Sequence, residues 1–499
     1  MTLLTSPQNA ALWLRERVCG RLQIDSRQVQ PGDGFIAWPG AMTDGRQFVD
    51  VAMAQGASAC LVEHEGWDAF HVSNASKVGS YRNLKANTGW IADAYYEHPS
   101  RDLTLVAITG TNGKTSSAWW LAWALTRLRH TQLSPGSLIG TLGIGRPDAL
   151  EYTGMTTPDP ITLHGHLRWL VSQGVKSCAV EASSIGLAEH RLDGAAIKVA
   201  GFTNFSQDHL DYHGSMDQYW AAKAILFDWP TLESAVINID DARGDELVRH
   251  ACSRGLDVWT ISQHSEARLS ATHVGYGECG LNWVLREGAQ SVPMATNLVG
   301  EYNVSNMLGV IGVIRALGIP LLDAVKVCMD LPSVPGRMES IDLPDAPLAI
   351  VDFAHTPDAL DKALNALRPL AEQRGGRLWC VFGCGGNRDV GKRPLMGAVA
   401  ERYADVVLVT SDNPRSEDPS AIANEIAAGM KRPPYAVTLD RADAIEHALG
   451  AAEPCDVVLI AGKGHETYQE MGDKRLPFSD QERARHALRT RMHRNEVRP

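Results

Sequence analysis

The chain has 499 residues, more than one hydrophobic core usually supports, so two to four domains are expected. Hydrophobic residues make up 44% and charged residues 21%, which excludes a disordered or membrane-embedded chain. The net charge of −11 argues against a general nucleic-acid binder, yet a local nest of backbone N–H groups can still hold a small anion.

The chain opens on Met1–Pro7, with no basic segment leading into a long apolar run. No later apolar stretch approaches bilayer length. A cytoplasmic protein with no membrane or nucleic-acid partner is expected. The first block runs to about His98-Pro99-Ser100. Its turns are marked by Asp25-Ser26-Arg27, Pro31-Gly32-Asp33-Gly34 and Pro39-Gly40, and Phe35–Trp38 and Ala59–Val62 read as strands between them. A smaller α/β domain over residues 1–99 is expected.

The second block, 100–338, opens with the apolar, β-branched run Leu103–Thr109, the pattern of a buried parallel strand. A Gly-rich loop follows, then a helix to about Arg129. Leu163, Leu167, Leu170 and Val171 fall at helical spacing before Gly174. Cys178–Val180, Val199–Thr203 and Ala235–Ile239 read as strands. Asn303–Leu317 reads as a helix stopped by Gly318 and Pro320. The third block, 339–499, follows Leu331–Gly336. Its strands Leu378–Phe382, Val406–Thr410 and Val457–Ala461 alternate with helical segments, and Arg483–Arg494 reads as a solvated basic helix face. Strands separated by helices imply parallel sheets, so the fold class is α/β. The nine cysteines show neither a disulfide framework nor a zinc-knuckle spacing, as expected of reduced thiols.

The strongest local signal is strand, then Gly110-Thr111-Asn112-Gly113-Lys114-Thr115, then helix. Glycines let backbone N–H groups approach phosphate oxygens, and the helix N-terminus adds partial positive charge. Lys114 can reach terminal phosphates, and the Thr115 hydroxyl can ligate Mg²⁺. Ile108 stands where the full P-loop pattern has its first glycine, so this is a shortened variant. Glu181 follows the strand Cys178–Val180, and His209 lies just past the strand ending near Thr203. Ligands collect at the carboxyl ends of parallel strands, which places both residues to meet Mg²⁺. Lys223, in the helical stretch Gln218–Lys223, reads from sequence alone as a surface lysine.

Taken together the motifs resemble the Mur ligase family. They are Thr109–Thr115, Glu181-Ala182-Ser183-Ser184, Thr203-Asn204, Asp208–His213, Asn303–Asn306, Pro335–Glu339 and Asp352–Pro357, in order over nearly the whole chain. The resemblance implies three domains: a UDP-binding N-terminal domain, a central P-loop-type ATPase with a parallel sheet, and a Rossmann-like C-terminal domain that binds the incoming amino acid. It implies that ATP phosphorylates a carboxylate and an amine then attacks the acyl phosphate, within peptidoglycan precursor synthesis and so cell-wall growth, cell shape and division. Gly383–Asp389 and Asp412–Arg415 look like those of members adding meso-diaminopimelate to UDP-N-acetylmuramoyl-L-alanyl-D-glutamate.

The resemblance also implies residue roles. Lys114, Glu181, His209 and Lys223 match catalytic and metal-site positions, with Thr115, and Lys223 matches the lysine that the family carbamylates. Gly110–Ser116, Asn303, Arg337 and Asp352 match ATP contacts. Ile24, Ser26, Ala41, Met42 and Thr43 fall at the UDP end of the nucleotide-sugar site. Met155, Thr156, Thr157, Ser183, Glu189 and Arg191 fall at its muramoyl-peptide end. Arg388, Asp412, Asn413, Pro414, Arg415, Gly462 and Glu466 match the diaminopimelate pocket. Arg415 is the most informative, because a planar guanidinium holds a carboxylate bidentately and diaminopimelate has one where lysine has none. There are departures: Met155 for a common Asn, Ala41-Met42 for a more polar pair, Glu189 for Gln and Phe353 for Tyr. A monomer is expected. The rivals are a lysine-adding Mur ligase, a folylpolyglutamate synthase, a P-loop regulatory ATP-binding protein without ligase activity, and a bare nucleotide-sugar binding module. The 100-odd residues before the phosphate loop disfavour the folate enzyme, which would need no UDP domain.

Overall fold

The structure is a computed structural model, and it describes residues 2–40, 43–277 and 280–496, with side chains only to residue 492 at the end. The chain forms two compact units. One comprises Met1–Ala271, Arg286–Ser291 and Ser305–Leu331, the other Thr272–Leu285, Val292–Val304 and Pro332–Pro499. Two short segments within the second sequence block thus pack with the third.

In the first unit, residues up to Arg101 build a five-stranded sheet. Its strands Thr2–Leu4, Val78–Tyr81, Ala59–Glu63, Gly34–Ala37 and Leu22–Gln23 lie in that order, all parallel. Gly34–Ala37 and Ala59–Glu63 are buried throughout, which is why they carry unbroken apolar runs rather than alternation. The second sheet of this unit is centred on Thr104–Thr109, flanked by the parallel strands Ser177–Glu181 and Ile197–Phe202. Gly136–Gly140 extends it in parallel on one side, and Ser234–Asn238 and Asp257–Ser262 on the other. Leu105, Ala107, Val180, Ile197 and Phe202 sit in one apolar core with Leu163, Leu167 and Leu170 of the helix Pro160–Ser172.

The register carries functional meaning. Glu181 pairs beside Ile108, and Phe202 beside Thr109, so three parallel strands end at one sheet edge. The phosphate loop, Glu181 and the Thr203–His209 segment all leave from that edge. The helix after the loop spans Lys114–Arg127, two residues shorter than expected, because Leu128 leaves helical geometry at ψ 51°.

The second unit has a six-stranded sheet in the order Glu339–Ile341, Leu348–Asp352, Val457–Ala461, Leu378–Phe382, Val406–Val409 and Ala436–Val437. Only the first pair is antiparallel. Gly383–Arg388, Asp412–Arg415 and Gly462–Glu466 therefore emerge from the same edge. Sequence patterning missed the hairpin strands Gly143–Arg146 and Ala149–Glu151 and the run Leu269–Tyr276, Leu281–Glu287 and Gln290–Ala295. The strands of that run face water on one side, and their polar residues hide the apolar half of the pattern, whereas the two glycines of Gly143–Arg146 leave a buried strand with little apolar signal. Among the described residues no helix is long and apolar enough to cross a membrane.

Candidate active site

The phosphate loop is shaped by two glycines that no other residue can replace without movement. Gly110 has φ +149°, and a Cβ there would lie 1.9 Å from the Thr203 hydroxyl oxygen. Gly113 has φ +84°, and a Cβ there would lie 2.3 Å from Asn306 Oδ1. Both sites need backbone freedom and empty space. Gly113 caps the helix Lys114–Arg127 without a side-chain hydrogen bond. By contrast, Asp159 caps Pro160–Ser172 through its carboxylate. The N–H groups that a capping side chain would satisfy are the ones a phosphate needs.

The loop is stitched to the neighbouring strand end. Thr111 N–H donates to Asn204 O at 2.8 Å, Asn112 N–H to Asn204 Oδ1 at 2.9 Å, and the Thr203 hydroxyl to Asn112 O at 2.6 Å. Lys114 Nζ curls back to Gly110 O and Thr111 O, both at 2.8 Å, which puts its charge over the loop. Thr111, Thr115 and Ser116 are buried, and Asn112 is exposed.

Glu181 is fully buried at the end of its strand. Its Oε2 accepts from Thr115 Oγ1 at 2.8 Å and Thr141 Oγ1 at 3.2 Å, and its Oε1 from Thr141 N–H at 2.8 Å. Thr141 also meets Thr156 at 2.9 Å. This corner offers a carboxylate and hydroxyls, the oxygen donors that suit a hard divalent cation. Nothing in the sequence singled out Thr141, which reaches Glu181 from a different strand end.

Lys223 is where the sequence reading and the structure differ most in character. It is 1% exposed, in the helix Met216–Ala224. Its Nζ donates to Gly110 O at 2.7 Å and lies 4.5 Å over the ring of Tyr219. Burial, with the nearby charge of Lys114, pushes its pKa down to about 6, although Asp208 pulls the other way. Its amine is therefore largely neutral at pH 7. Tyr219 is a hub that the sequence reading passed over. Its hydroxyl meets Thr111 Oγ1 at 3.1 Å, and its ring packs edge-on to His209 at 6.1 Å. Its spacing of four from Lys223 on one helix face was the available signal. His209 sits at φ +50°, half exposed, with Nε2 3.5 Å from Asp208 Oδ2. Thus Thr115 touches Glu181, Lys223 touches the loop, and Tyr219 stands between Lys223 and His209. Among the described residues no three of His, Cys, Asp and Glu converge as a metal-binding group.

Around this centre, the Thr157 hydroxyl donates to Glu181 O at 2.6 Å and meets Ser183 Oγ at 3.0 Å, and Arg191 Nη1 donates to Thr157 O at 2.9 Å. Glu189 pairs with Lys85 and accepts from the Tyr212 hydroxyl. Met155 is exposed. In the N-terminal sheet, Ser26 is buried, Ile24 packs against the local core, and Thr43 is exposed with its carbonyl accepting from Gly40 N–H. Ala41 and Met42 lie outside the described residues.

In the second unit, Asp352 accepts from Met338 N–H at 2.8 Å and Ala354 N–H at 2.9 Å. Burial raises its pKa against the opposing pull of Arg337. Arg337 lies 4.5 Å over the Phe353 ring, and buried Asn303 donates to Val299 O at 2.8 Å. At the facing strand ends, Asn413 Nδ2 donates to Glu466 Oε2 at 2.9 Å, and Asn413 Oδ1 accepts from Lys463 Nζ at 3.0 Å and Glu470 N–H at 2.9 Å. Lys463, fully buried, also pairs with Glu466 at 2.9 Å. Lys463 was missed, though a lysine between two glycines after an apolar strand was a signal. Arg415, at φ +52°, donates to Gly386 O at 2.8 Å and pairs with Glu470 at 2.9 Å. Asp412 and Pro414 are buried, Gly462 has φ +116°, and Arg388 is exposed.

Family models match three stretches of the chain: the Mur ligase family catalytic domain over residues 20–93, the Mur ligase middle domain over 108–314, and the Mur ligase glutamate ligase domain over 336–464. A protein of Acidovorax sp. (strain JS42) named UDP-N-acetylmuramoyl-L-alanyl-D-glutamate–2,6-diaminopimelate ligase is 56% identical, over 98% of each chain. A protein of the same name from Janthinobacterium sp. (strain Marseille) is 46% identical over 99% of each. A solved structure with that name superposes at a TM-score of 0.68, with 33% identity and 95% of each chain covered. The chain belongs to the Mur ligase family and has its three-domain fold. It is an ATP-dependent ligase that forms amide bonds.

Proposed function

We propose that this chain joins meso-diaminopimelate to UDP-N-acetylmuramoyl-L-alanyl-D-glutamate at the expense of ATP, in the cytoplasm, as a step of peptidoglycan precursor synthesis. The observation that carries the reading is near full-length identity of 56% to a relative with that activity in its name. The working division is a UDP-binding domain over 1–99, an ATP-binding domain over 100–338 and an amino-acid-binding domain over 339–499.

In this reading an oxygen of the glutamyl γ-carboxylate attacks the terminal phosphorus of ATP, and ADP leaves. The amine then attacks the carbonyl carbon of the acyl phosphate, forming a tetrahedral species that collapses with loss of phosphate and a proton. A carboxylate is a poor electrophile, and phosphate is a good leaving group. Positioning and charge neutralisation supply most of the acceleration. The uncapped helix start and Lys114 hold the phosphates. Glu181, Thr115 and His209 would hold Mg²⁺, which suits their oxygen-rich corner and would neutralise phosphate charge. Lys223 supplies a neutral amine, the form that reacts with carbon dioxide to give a carbamate and a proton. That carbamate would offer carboxylate oxygens to a further Mg²⁺. Arg415, already oriented by Gly386 O and Glu470, would take the distal carboxylate of diaminopimelate.

The test is phosphate release from ATP with Mg²⁺ and the UDP-muramoyl dipeptide, adding meso-diaminopimelate or L-lysine in parallel. Release that needs diaminopimelate and barely responds to lysine is expected. Equal release with lysine would overturn the amine assignment, and release indifferent to either amine would overturn the ligation.

A further inference from the structure

Lys85 and Glu189 meet from different parts of the first unit, Nζ to Oε2 at 2.5 Å. Lys85 is the second residue of the helix Leu84–Tyr95 in the N-terminal sheet layer. That helix start is fixed by the Glu63 carboxylate, which accepts from Asn83 and Leu84 N–H. Glu189 caps the C-terminal end of the short helix Ser184–Ala188. Each charge therefore sits at the unfavourable end of its own helix, a cation at an N-terminus and an anion at a C-terminus. Local helix energetics does not account for either. Both side chains are also partly exposed, at 40% and 30%, and such pairs add little to stability.

What the pair does account for is the second oxygen of Glu189. Oε1 accepts from the Tyr212 hydroxyl at 2.5 Å. Tyr212 N–H in turn donates to His209 O at 3.1 Å, closing the turn that carries His209. Glu189 also stands two residues from Arg191, which holds Thr157 O, and the Thr157 hydroxyl holds Glu181 O. A carboxylate here faces a problem if the site takes the nucleotide-peptide proposed above, whose diphosphate and carboxylates are all anionic.

We propose that Lys85 is a positioning residue of the nucleotide-peptide site: it neutralises and orients Glu189, and through Tyr212 steadies the His209 turn. This rests on the reading that Glu189 lies at the muramoyl-peptide end. Lys85 thereby lets a glutamate occupy a position beside an anionic ligand.

The experiment uses the full-length enzyme at low salt, with wild type, Lys85→Met, Lys85→Arg and the double variant Lys85→Met with Glu189→Gln. The affinity for the UDP-muramoyl dipeptide is read twice, as KM and by fluorescence titration without ATP. Lys85→Met raises both by about tenfold, the scale of an uncompensated like charge at a partly screened distance. It leaves the thermal midpoint unchanged. Lys85→Arg stays close to wild type, and the added Glu189→Gln brings the double variant back to within about threefold, since the neutral amide needs no counter-charge. Unchanged affinity in Lys85→Met overturns the proposal. So does a loss that the double variant retains, which would make Lys85 a packing residue. A wild-type enzyme that does not bind the dipeptide overturns the functional reading itself, a result the titration separates from the others.

Discussion

The two strand-end sites handle charge in opposite ways. At the phosphate loop, the lysines lie against carbonyl oxygens: Lys114 on Gly110 and Thr111, Lys223 on Gly110. Burial holds Lys223 neutral. At the C-terminal pocket, cations are locked to anions: Arg441 to Asp480 with both fully buried, Lys463 to Glu466, and Arg393 to Glu417 and Glu425. A carbonyl is a weak partner that an arriving phosphate can displace, so the first site can turn the Lys114 charge toward a phosphate. A buried ion pair is costly to break, so the second keeps its loops in one arrangement. Catalysis of phosphate transfer needs the former, and discrimination among amino acids needs the latter.

The comparison is tested most severely at Lys114. Lys114→Ala removes the charge that the loop holds ready, and kcat/KM should fall at least about 10³-fold, or about 4 kcal/mol, with the unfolding midpoint little changed. Retained activity would show that the loop does not keep its lysine for phosphate. The counterpart is Arg441→Met. Arg441 pairs with Asp480 at 2.7 Å and donates to Ser411 O and Ala461 O, tying two strand ends that bear the pocket. Leaving Asp480 buried alone should cost about 3 kcal/mol in urea unfolding. A loss below about 1 kcal/mol would mean that the pocket is not held by this pair.

A smaller effect sharpens the role of Arg415. Arg415→Met should raise the KM for diaminopimelate about 30-fold, near 2 kcal/mol, while leaving the KM for ATP alone. Arg415→Lys should recover only part, because an ammonium cannot form the bidentate pair. Equal rises in both KM values would point to a general disturbance of the loop instead.

The same contrast explains what could be read from sequence. The phosphate loop was legible because its chemistry is contiguous, with strand, glycines, lysine and threonine in one run. Parallel strands were legible where both faces are buried, as in Thr104–Thr109 and Val457–Ala461. Water-facing strands such as Gln290–Ala295 were not. Lys223 read as a surface residue because its burial depends on Tyr219 and on Gly110, 113 positions away. Thr141 was hidden for the same reason, since Glu181 comes from another strand end, whereas Lys463 combines a local partner, Glu466, with a distant one, Asn413. The family motifs named the loops of the C-terminal pocket, but neither Arg441 nor Asp480, which lie behind it and fix it.

The weakest effect expected is also the most direct on the neutral lysine. An unfolded lysine titrates near 10.5 and Lys223 near 6, so between those values the unfolded chain binds more protons than the folded one. Stability of the wild type therefore falls as pH drops from about 10.5 toward 6 and levels off below it. Lys223→Met has no such proton to bind. In carbon dioxide-free buffer its stability relative to wild type should rise by at least about 1 kcal/mol between pH 9 and pH 7, followed by urea midpoints. Bicarbonate should narrow that gap at pH 7 by converting the amine of the wild type, but not the methionine, to a carbamate. Parallel stability curves for the two proteins would mean that Lys223 stays charged in the fold, and the distinction drawn between the two sites would then rest on Lys114 alone.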